Sequence, residues 1–358
     1  MSVKYSIIIP TYNRTEILQR CLQCICELEN PDEDWEVLVL NNNSTDSTEE
    51  VINSYKKELP HLRYFRSTDP GLHVGRNVGY DRAEGDILCY IDDDSFVSKG
   101  WLKGIEKAFR ESEVALVGGP CLPEHEEEPP NWINQFWSHT DHGKCFGSLS
   151  LLDFGDQITQ ISPYDVYGCN FNIRRDVLEK LGGFHPDGMP RELIRYRGDG
   201  ETFVSRKLIE LGYKALYSPD AKIHHFIPAS RATKEYFCHR AYIQGISDSY
   251  SLIREERKLV IKNSRRKDED IESGDTHSCY INLMKIFRFL KRETTSIKNR
   301  ALNYKKKLFP TEYDLIRAEM QKSYREGFAF HQREVKKDPK LKEWVLRENY
   351  LGENGKLP

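Results

Sequence analysis

An α/β fold with a mainly parallel central sheet flanked by helices follows from two features of the sequence. Short runs of β-branched and aliphatic residues alternate with amphipathic segments through the first half of the chain. Four successive runs each lead into a polar cluster: Thr11 to Arg14, Asn41 to Asn43, the loop before Arg76, and Asp92 to Asp94. In open parallel sheets ligands bind at the carboxyl ends of the strands, so these clusters are candidates for one site.

Ser6-Ile7-Ile8-Ile9-Pro10 reads as a buried parallel strand ended by proline. Thr15 is placed to cap a helix whose Ile17, Leu18, Cys21, Leu22 and Ile25 share one face. Trp35 to Leu40 is the second strand, and Ser47 or Thr48 is placed to cap a helix reaching about Lys57. Leu62 to Phe65 is the third strand; Gly71 to Gly75 is a loop, and a helix starts at Arg76. The fourth strand, Asp86 to Ile91, ends in Asp92, Asp93 and Asp94. Three adjacent carboxylates repel one another, and in a half-buried place they need a cation partner. Hard divalent ions take such oxygens and leave positions for phosphate.

Further on, Trp101 to Arg110 is helical, Val114 to Gly119 a strand, and Glu124 to Pro130 an exposed acidic loop. Trp132, Phe136, Trp137 and Phe146, set among polar residues, suit either a carbohydrate face or ordinary packing. Gly168 to Arg175 is a strand leading into a helix that Gly182-Gly183-Phe184 ends. Asp199-Gly200-Glu201 precedes another helix, Tyr213 to Tyr217 is a strand, and His224-His225 follows.

Composition narrows the function. The 358 residues are 38% apolar and 30% charged, with a net charge of −3, so nothing favours nucleic acid. No apolar run approaches a bilayer span and the first residues are not a signal peptide, so the expected compartment is the cytoplasm. Cys21, Cys24 and Cys26 lack a second pair at zinc spacing and read as packed thiols. No Gly-x-Gly-x-x-Gly follows the first strand and no P-loop motif occurs, which disfavours a dehydrogenase and a P-loop nucleotidase.

The segments Ile7 to Arg14, Asn41 to Asp46, Arg76-Asn77, Asp92-Asp93-Asp94, Gly168 to Arg175 with Gly182-Gly183-Phe184, and Asp199 to Glu201 with Gly212-Tyr213 share their order with one family. Over residues 4 to 230 the chain resembles a family 2 glycosyltransferase of the GT-A fold. The resemblance implies an inverting, metal-dependent transfer of sugar from a nucleotide-diphospho-sugar, a UDP-sugar first, to a glycan or lipid-linked acceptor. Cell-surface polysaccharide or other glycan assembly is the implied setting. Position by position, it places Pro10, Thr11, Tyr12, Asn13, Arg14 and Asn41 against base and ribose, and Arg76 and Asn77 near the nucleotide. Asp92 and Asp93 fall at the nucleotide sugar, Asp93 holding ribose or sharing the metal. Asp94, Asp92 and His225 fall at the metal, Mn²⁺ or Mg²⁺, and Gly168 and Asn170 in the acceptor region. The chemistry is coherent: the divalent ion meets the charge of the leaving diphosphate, and a carboxylate takes the acceptor proton.

Two departures stand out. Asn41 replaces the Asp usual in the family, which leaves the base preference open. The second acid of the family's acidic pair aligns with Gly200, so either Asp199 or Glu201 is the candidate catalytic base. The competing readings are a sugar-nucleotide pyrophosphorylase, which needs a different loop after the first strand, and a non-catalytic sugar-nucleotide or glycan-binding protein.

The domain reading is a catalytic domain over 1–230 and a mostly helical extension over 231–358, with a charged linker near 258–275. Within 280–307, apolar and basic residues interleave, as in a helix on a membrane surface at the inner face. The alternative is packing on the catalytic domain or on a second copy in a homodimer. Tyr313 to Tyr350 is helical, with Pro339 opening its last segment.

Overall fold

The computed structural model describes residues 4–29, 34–268 and 310–358. In chain order the first elements are β1 (Tyr5–Thr11), α1 (Thr15–Cys26), β2 (Trp35–Asn41), α2 (Thr48–Ser54), β3 (Leu62–Arg66), α3 (Leu72–Arg82) and β4 (Ile87–Ile91). Next come β5 (Ser95–Val97), α4 (Trp101–Ala108), β6 (Val114–Gly118), β7 (Cys121–His125), β8 (Ser138–His139), β9 (Lys144–Phe146), β10 (Leu151–Asp153) and β11 (Thr159–Ile161). They are followed by β12 (Asn170–Arg174), α5 (Arg175–Leu181), α6 (Gly200–Glu210), β13 (Lys214–Tyr217) and β14 (Ile223–Ile227). The C-terminal part holds α7 (Lys234–Asp268), α8 (Glu312–Lys337) and α9 (Pro339–Val345).

The central sheet runs β11-β13-β6-β12-β4-β1-β2-β3. β4, β1, β2 and β3 are parallel, as expected from their apolar runs. All seven residues of β1 are buried because helices cover both faces. Ile7, Ile8 and Ile9 are fully buried, each adding about 1.5–3 kcal/mol. In the other half β13 runs parallel to β6, while β12 enters antiparallel to both β4 and β6 and β11 is antiparallel to β13, so the sheet is mainly parallel, as expected, with antiparallel insertions. Pairing Asn170 with Ile91 carries Gly168 past the end of β4, beside the acid triplet.

A second sheet, β5-β14-β7-β10-β9-β8, was not legible in the sequence. Its role is positional. β14 runs antiparallel to β5 with His225 opposite Ser95, which brings the histidine next to Asp94. The Phe226 N–H donates to the Asp94 carbonyl at 2.8 Å, fixing the approach.

Several local expectations need correction. Neither Thr15 nor Ser47 caps its helix through a side chain. Asp46 does both jobs, accepting from the Thr15 N–H at 3.2 Å and the Thr48 N–H at 3.2 Å. α3 starts at Leu72, not Arg76, because Gly71 turns the chain at φ +119° and the Leu72 N–H is taken by the Asp187 carbonyl. Trp132 and Phe146 are buried against Phe237 of α7 and Ile316 of α8, so packing wins over a carbohydrate face. α7 remains helical as far as Asp268, through the start of the expected linker at 258. The remainder of that linker and the 280–307 stretch lie outside the described residues. Among the described residues no helix is long and apolar enough to cross a membrane.

Candidate active site

The triplet divides into one partly exposed and two buried acids. Asp93 and Asp94 are 3% and 1% exposed. Asp93 accepts from Thr11 Oγ1 at 2.8 Å and from Arg14 Nη1 at 2.5 Å. Arg14 also reaches Asp94 Oδ2 at 3.0 Å, and Arg231, from beyond β14, reaches the same oxygen at 3.1 Å. Burial and the neighbouring Asp94 push the Asp93 carboxyl above the usual carboxylate range, against Arg14. Asp94 goes the other way: burial opposes its charge, and His225, Arg231 and Arg14 outweigh burial.

Asp94 Oδ1 is buried without a hydrogen-bond partner. His225 Nε2 stands 3.4 Å from it. His225 Nδ1 faces the Leu149 carbonyl at 2.9 Å, which holds the proton on Nδ1 and turns Nε2 toward Asp94. Arg231 Nη1 also lies 3.4 Å from Nε2, so an ion taken up by Asp94 Oδ1 and His225 Nε2 would have to displace that guanidinium. Burial pulls the imidazole down, but Cys169 and Asp94 push it up to about 9, so a cation has to displace a proton there.

Asp92 does not join them. Its Oδ1 accepts from Arg76 Nη2 at 3.1 Å. Among the described residues Asp94, Asp92 and His225, expected as metal ligands, do not gather into a cluster of three His, Cys, Asp or Glu side chains able to hold a metal ion. Arg76 also binds Glu201 Oε2 at 3.2 Å, bridging the two acids from within the core. It crosses directly over Gly168, where any side chain would collide with the guanidinium. Gly168 lines the pocket, and its lack of a side chain is what lets Arg76 lie there.

Asp199 sits at the start of α6 and has no free oxygen. Oδ1 accepts from His185 Nδ1 at 2.6 Å; Oδ2 takes Ser251 Oγ at 2.7 Å and Arg206 at 3.3 Å. Since the carboxylate only accepts, the His185 proton is on Nδ1. Burial opposes the charge of Asp199, but His185, Arg206 and Ser251 bring its pKa down to about 2. Burial also lowers His185 to about 4, so the ring is neutral, stacked 3.5 Å from Phe203. With both oxygens taken, Asp199, one of the two acids expected as the base, would have to lose a hydrogen bond before it could accept an acceptor's proton.

Three expected contact residues turn out to brace the backbone. Asn41 is buried, its Nδ2 donating to Tyr64 at 3.1 Å and its Oδ1 accepting from the Ser44 N–H at 2.7 Å. Asn77 donates to the carbonyls of Phe184 and Tyr350 and accepts from the Phe184 N–H. Asn170 donates to the Ala221 carbonyl and accepts from Trp101 and Asn172. Asn77 uses both N–H groups inside the protein, whereas Asn41 and Asn170 each use one. Pro10 is buried in β1, and Asn13, at φ +51°, accepts from the Thr45 N–H at 2.7 Å. Tyr12 and Asn13 of that turn are exposed, Tyr12 at 57%.

Arg76, Asp92, Gly168 and Glu201 line a pocket of about 210 Å³ whose far wall is α7. Tyr236, Arg240, Gln244, Ser247, Asp248 and Ser251, on one face of that helix, supply the wall. The extension is thus part of the site. Sequence reading missed these residues together with Arg231, His185 and Asp187.

Residues 6–182 match the model of a family described as Glycosyl transferase family 2. That segment, just under half of the chain, is similar to the family. The family 2 segment carries the triplet, Arg76 and Gly168; Asp199, Glu201, His225 and all of α7 lie beyond it. Glycosyltransferase AglE of Haloferax volcanii is 25% identical over 60% of this chain and 64% of its own length, just under two thirds. Succinoglycan biosynthesis protein ExoM of Rhizobium meliloti is 24% identical over 66% of this chain and 71% of its own. The structure of the mannosyltransferase PcManGT from Pyrobaculum calidifontis, in complex with GDP-Man and Mn²⁺, covers 92% of this chain and 87% of its own at TM-score 0.53 and 18% identity. That likeness shows the GT-A fold alone.

Proposed function

We propose that this chain transfers a sugar from a nucleotide-diphospho-sugar to an acceptor hydroxyl with inversion, using a divalent ion held by Asp94 and His225. The observation that carries the reading is the orphan Asp94 Oδ1 beside His225 Nε2 at the end of β4. The ion, Mn²⁺ or Mg²⁺, supplies positive charge to the leaving diphosphate. Two protein donors leave places for phosphate and water, as such ions prefer. The Mn²⁺ complex of PcManGT supports the choice of metal.

The chain's own residues do the rest. Arg14 and Arg231 converge on Asp94 and are placed to bind diphosphate oxygens. Thr11 and Arg14 fix Asp93, which acts by orienting Arg14 toward the nucleotide. Tyr12 is free to stack on the base. The pocket is smaller than the roughly 300–1,000 Å³ that encloses drug-sized ligands. It suits one sugar ring, with the nucleotide lying outside it along the strand ends. Assembly of a surface glycan is the setting the ExoM likeness supports.

The test is Asp94→Asn in the full chain, with UDP-GlcNAc, UDP-glucose and GDP-mannose offered in turn with Mn²⁺. Release of nucleoside diphosphate should fall about 10²–10³-fold, and the Mn²⁺-dependent rise in Tm with nucleotide should vanish. Unchanged turnover removes the metal role. If no nucleotide stabilises the wild-type protein with Mn²⁺, the transferase reading goes with it.

A further inference from the structure

The acid that the family resemblance places at position 200 is absent, because the residue is Gly200. The space is not empty. A Cβ at Gly200 would come within 2.8 Å of Asp187 Oδ2 and 3.1 Å of Asp187 Cγ. A carboxylate from another loop therefore stands where a side chain at 200 would enter. The backbone at Gly200 has φ +50°, a conformation that disfavours most side chains.

Asp187 is held for such a task. Oδ1 accepts from Arg197 at 2.5 Å and from the Gly188 N–H at 2.7 Å. Among the described residues no hydrogen bond is made to Oδ2. The Asp187 carbonyl receives the Leu72 N–H at 2.8 Å, tying its loop to the start of α3. The side chain lines the same pocket as Arg76, Asp92 and Glu201. Of its two rivals, Asp199 has both oxygens occupied by His185, Arg206 and Ser251. Glu201, like Asp187, is paired with one guanidinium, Arg76 at 3.2 Å; what sets Asp187 apart is that its Oδ2 stands where a side chain at 200 would enter.

We propose that Asp187 is the general base of the transfer, standing in for the acid missing at Gly200. The proposal rests on the transferase reading above. The acceptor oxygen attacks the anomeric carbon and its proton passes to Asp187 Oδ2. The bond from that carbon to the diphosphate breaks, and its electron pair leaves on the nucleoside diphosphate. Asp187 then returns the proton to water. Burial acts to raise the pKa of Asp187, but Arg197, Arg76, the Gly188 N–H and Arg240 outweigh it, so the group is ionised at neutral pH.

The test uses Asp187→Asn in the full chain with the same three nucleotide sugars and Mn²⁺, water replacing the acceptor. Diphosphate release should fall about 10²–10⁴-fold, the range for a lost general base. The nucleotide-sugar thermal shift should stay, and the acidic limb of the pH–rate profile should disappear. A second pair guards against misfolding. Asp187→Ala should be as inactive, and Asp187→Ala with Gly200→Asp should recover about tenfold or more over it, because the acid returns by the other route. Asp187→Asn releasing diphosphate within about threefold of wild type overturns the proposal. So does a folded double variant with no recovery. A wild-type protein that binds no nucleotide sugar defeats the transferase reading itself, an outcome seen without touching Asp187.

Discussion

Two acid clusters face one cleft, and the chain treats them oppositely. At the end of β4, Asp93 and Asp94 are compensated by guanidinium charge from Arg14 and Arg231, and Asp94 keeps one oxygen without a hydrogen bond. At the start of α6, Asp199 is closed on both oxygens by His185, Ser251 and Arg206. Both are buried aspartates at element ends. The difference teaches that burial does not mark a working acid. An oxygen left without a donor does, because it can accept from a ligand without first losing a bond.

The contrast can be broken experimentally. Arg14→Met removes counter-charge from two buried carboxylates and should lower unfolding stability by about 3 kcal/mol. The loss should shrink when Mn²⁺ is added, since a cation binding the folded state restores charge balance; chemical denaturation with and without Mn²⁺ reads this. Asp199→Ala should also lower stability by about 3 kcal/mol, yet Mn²⁺ should give it no recovery. Equal rescue of both variants would erase the distinction between the clusters.

Acid sharpens it further. The folded-state pKa of Asp199, about 2, lies below its ordinary value of 3.8. Its contribution, about 2 kcal/mol, is therefore present above about pH 4 and lost as the pH falls toward 2. The stability gap between wild type and Asp199→Ala should close over that window in denaturation curves. The smallest effect is expected at the opposite end of β4. Asp86 pairs with Lys4 at 2.9 Å on the surface, and Lys4→Ala should shift stability by less than about 0.5 kcal/mol.

The sheet was legible where signals were local. The runs Tyr5–Thr11, Trp35–Asn41 and Ile87–Ile91 are continuous and apolar because both faces are covered. The second sheet was not, since strands such as Ser138–His139 and Lys144–Phe146 are too short to show a period. The triplet, Arg14, Arg76, Gly168 and His225 were named from sequence, and the fold does bring them together. The internal hydrogen bonds of Asn41, Asn77 and Asn170 were not legible, because a bracing amide and a ligand-binding amide look alike in sequence. Asp187, Arg231 and Ser251 had no signal at all. The partners of Arg231 and Ser251 lie far along the chain, and no spacing rule links Ser251 to Asp199.

The bond between Asn77 and Tyr350 has a consequence in time. Tyr350 gives its N–H to Gly182, its carbonyl to Asn77, and its hydroxyl meets Tyr250 beside His185. Strands β1 to β4 and the triplet can form while the chain is still being made. The contacts of Tyr350 with Asn77, Gly182 and Tyr250 cannot form until residue 350 has left the ribosome, about 13–50 s after the triplet at about 5–20 residues per second. Synthesis itself thus sets the order in which the strand ends and the last buried contacts around His185 are completed.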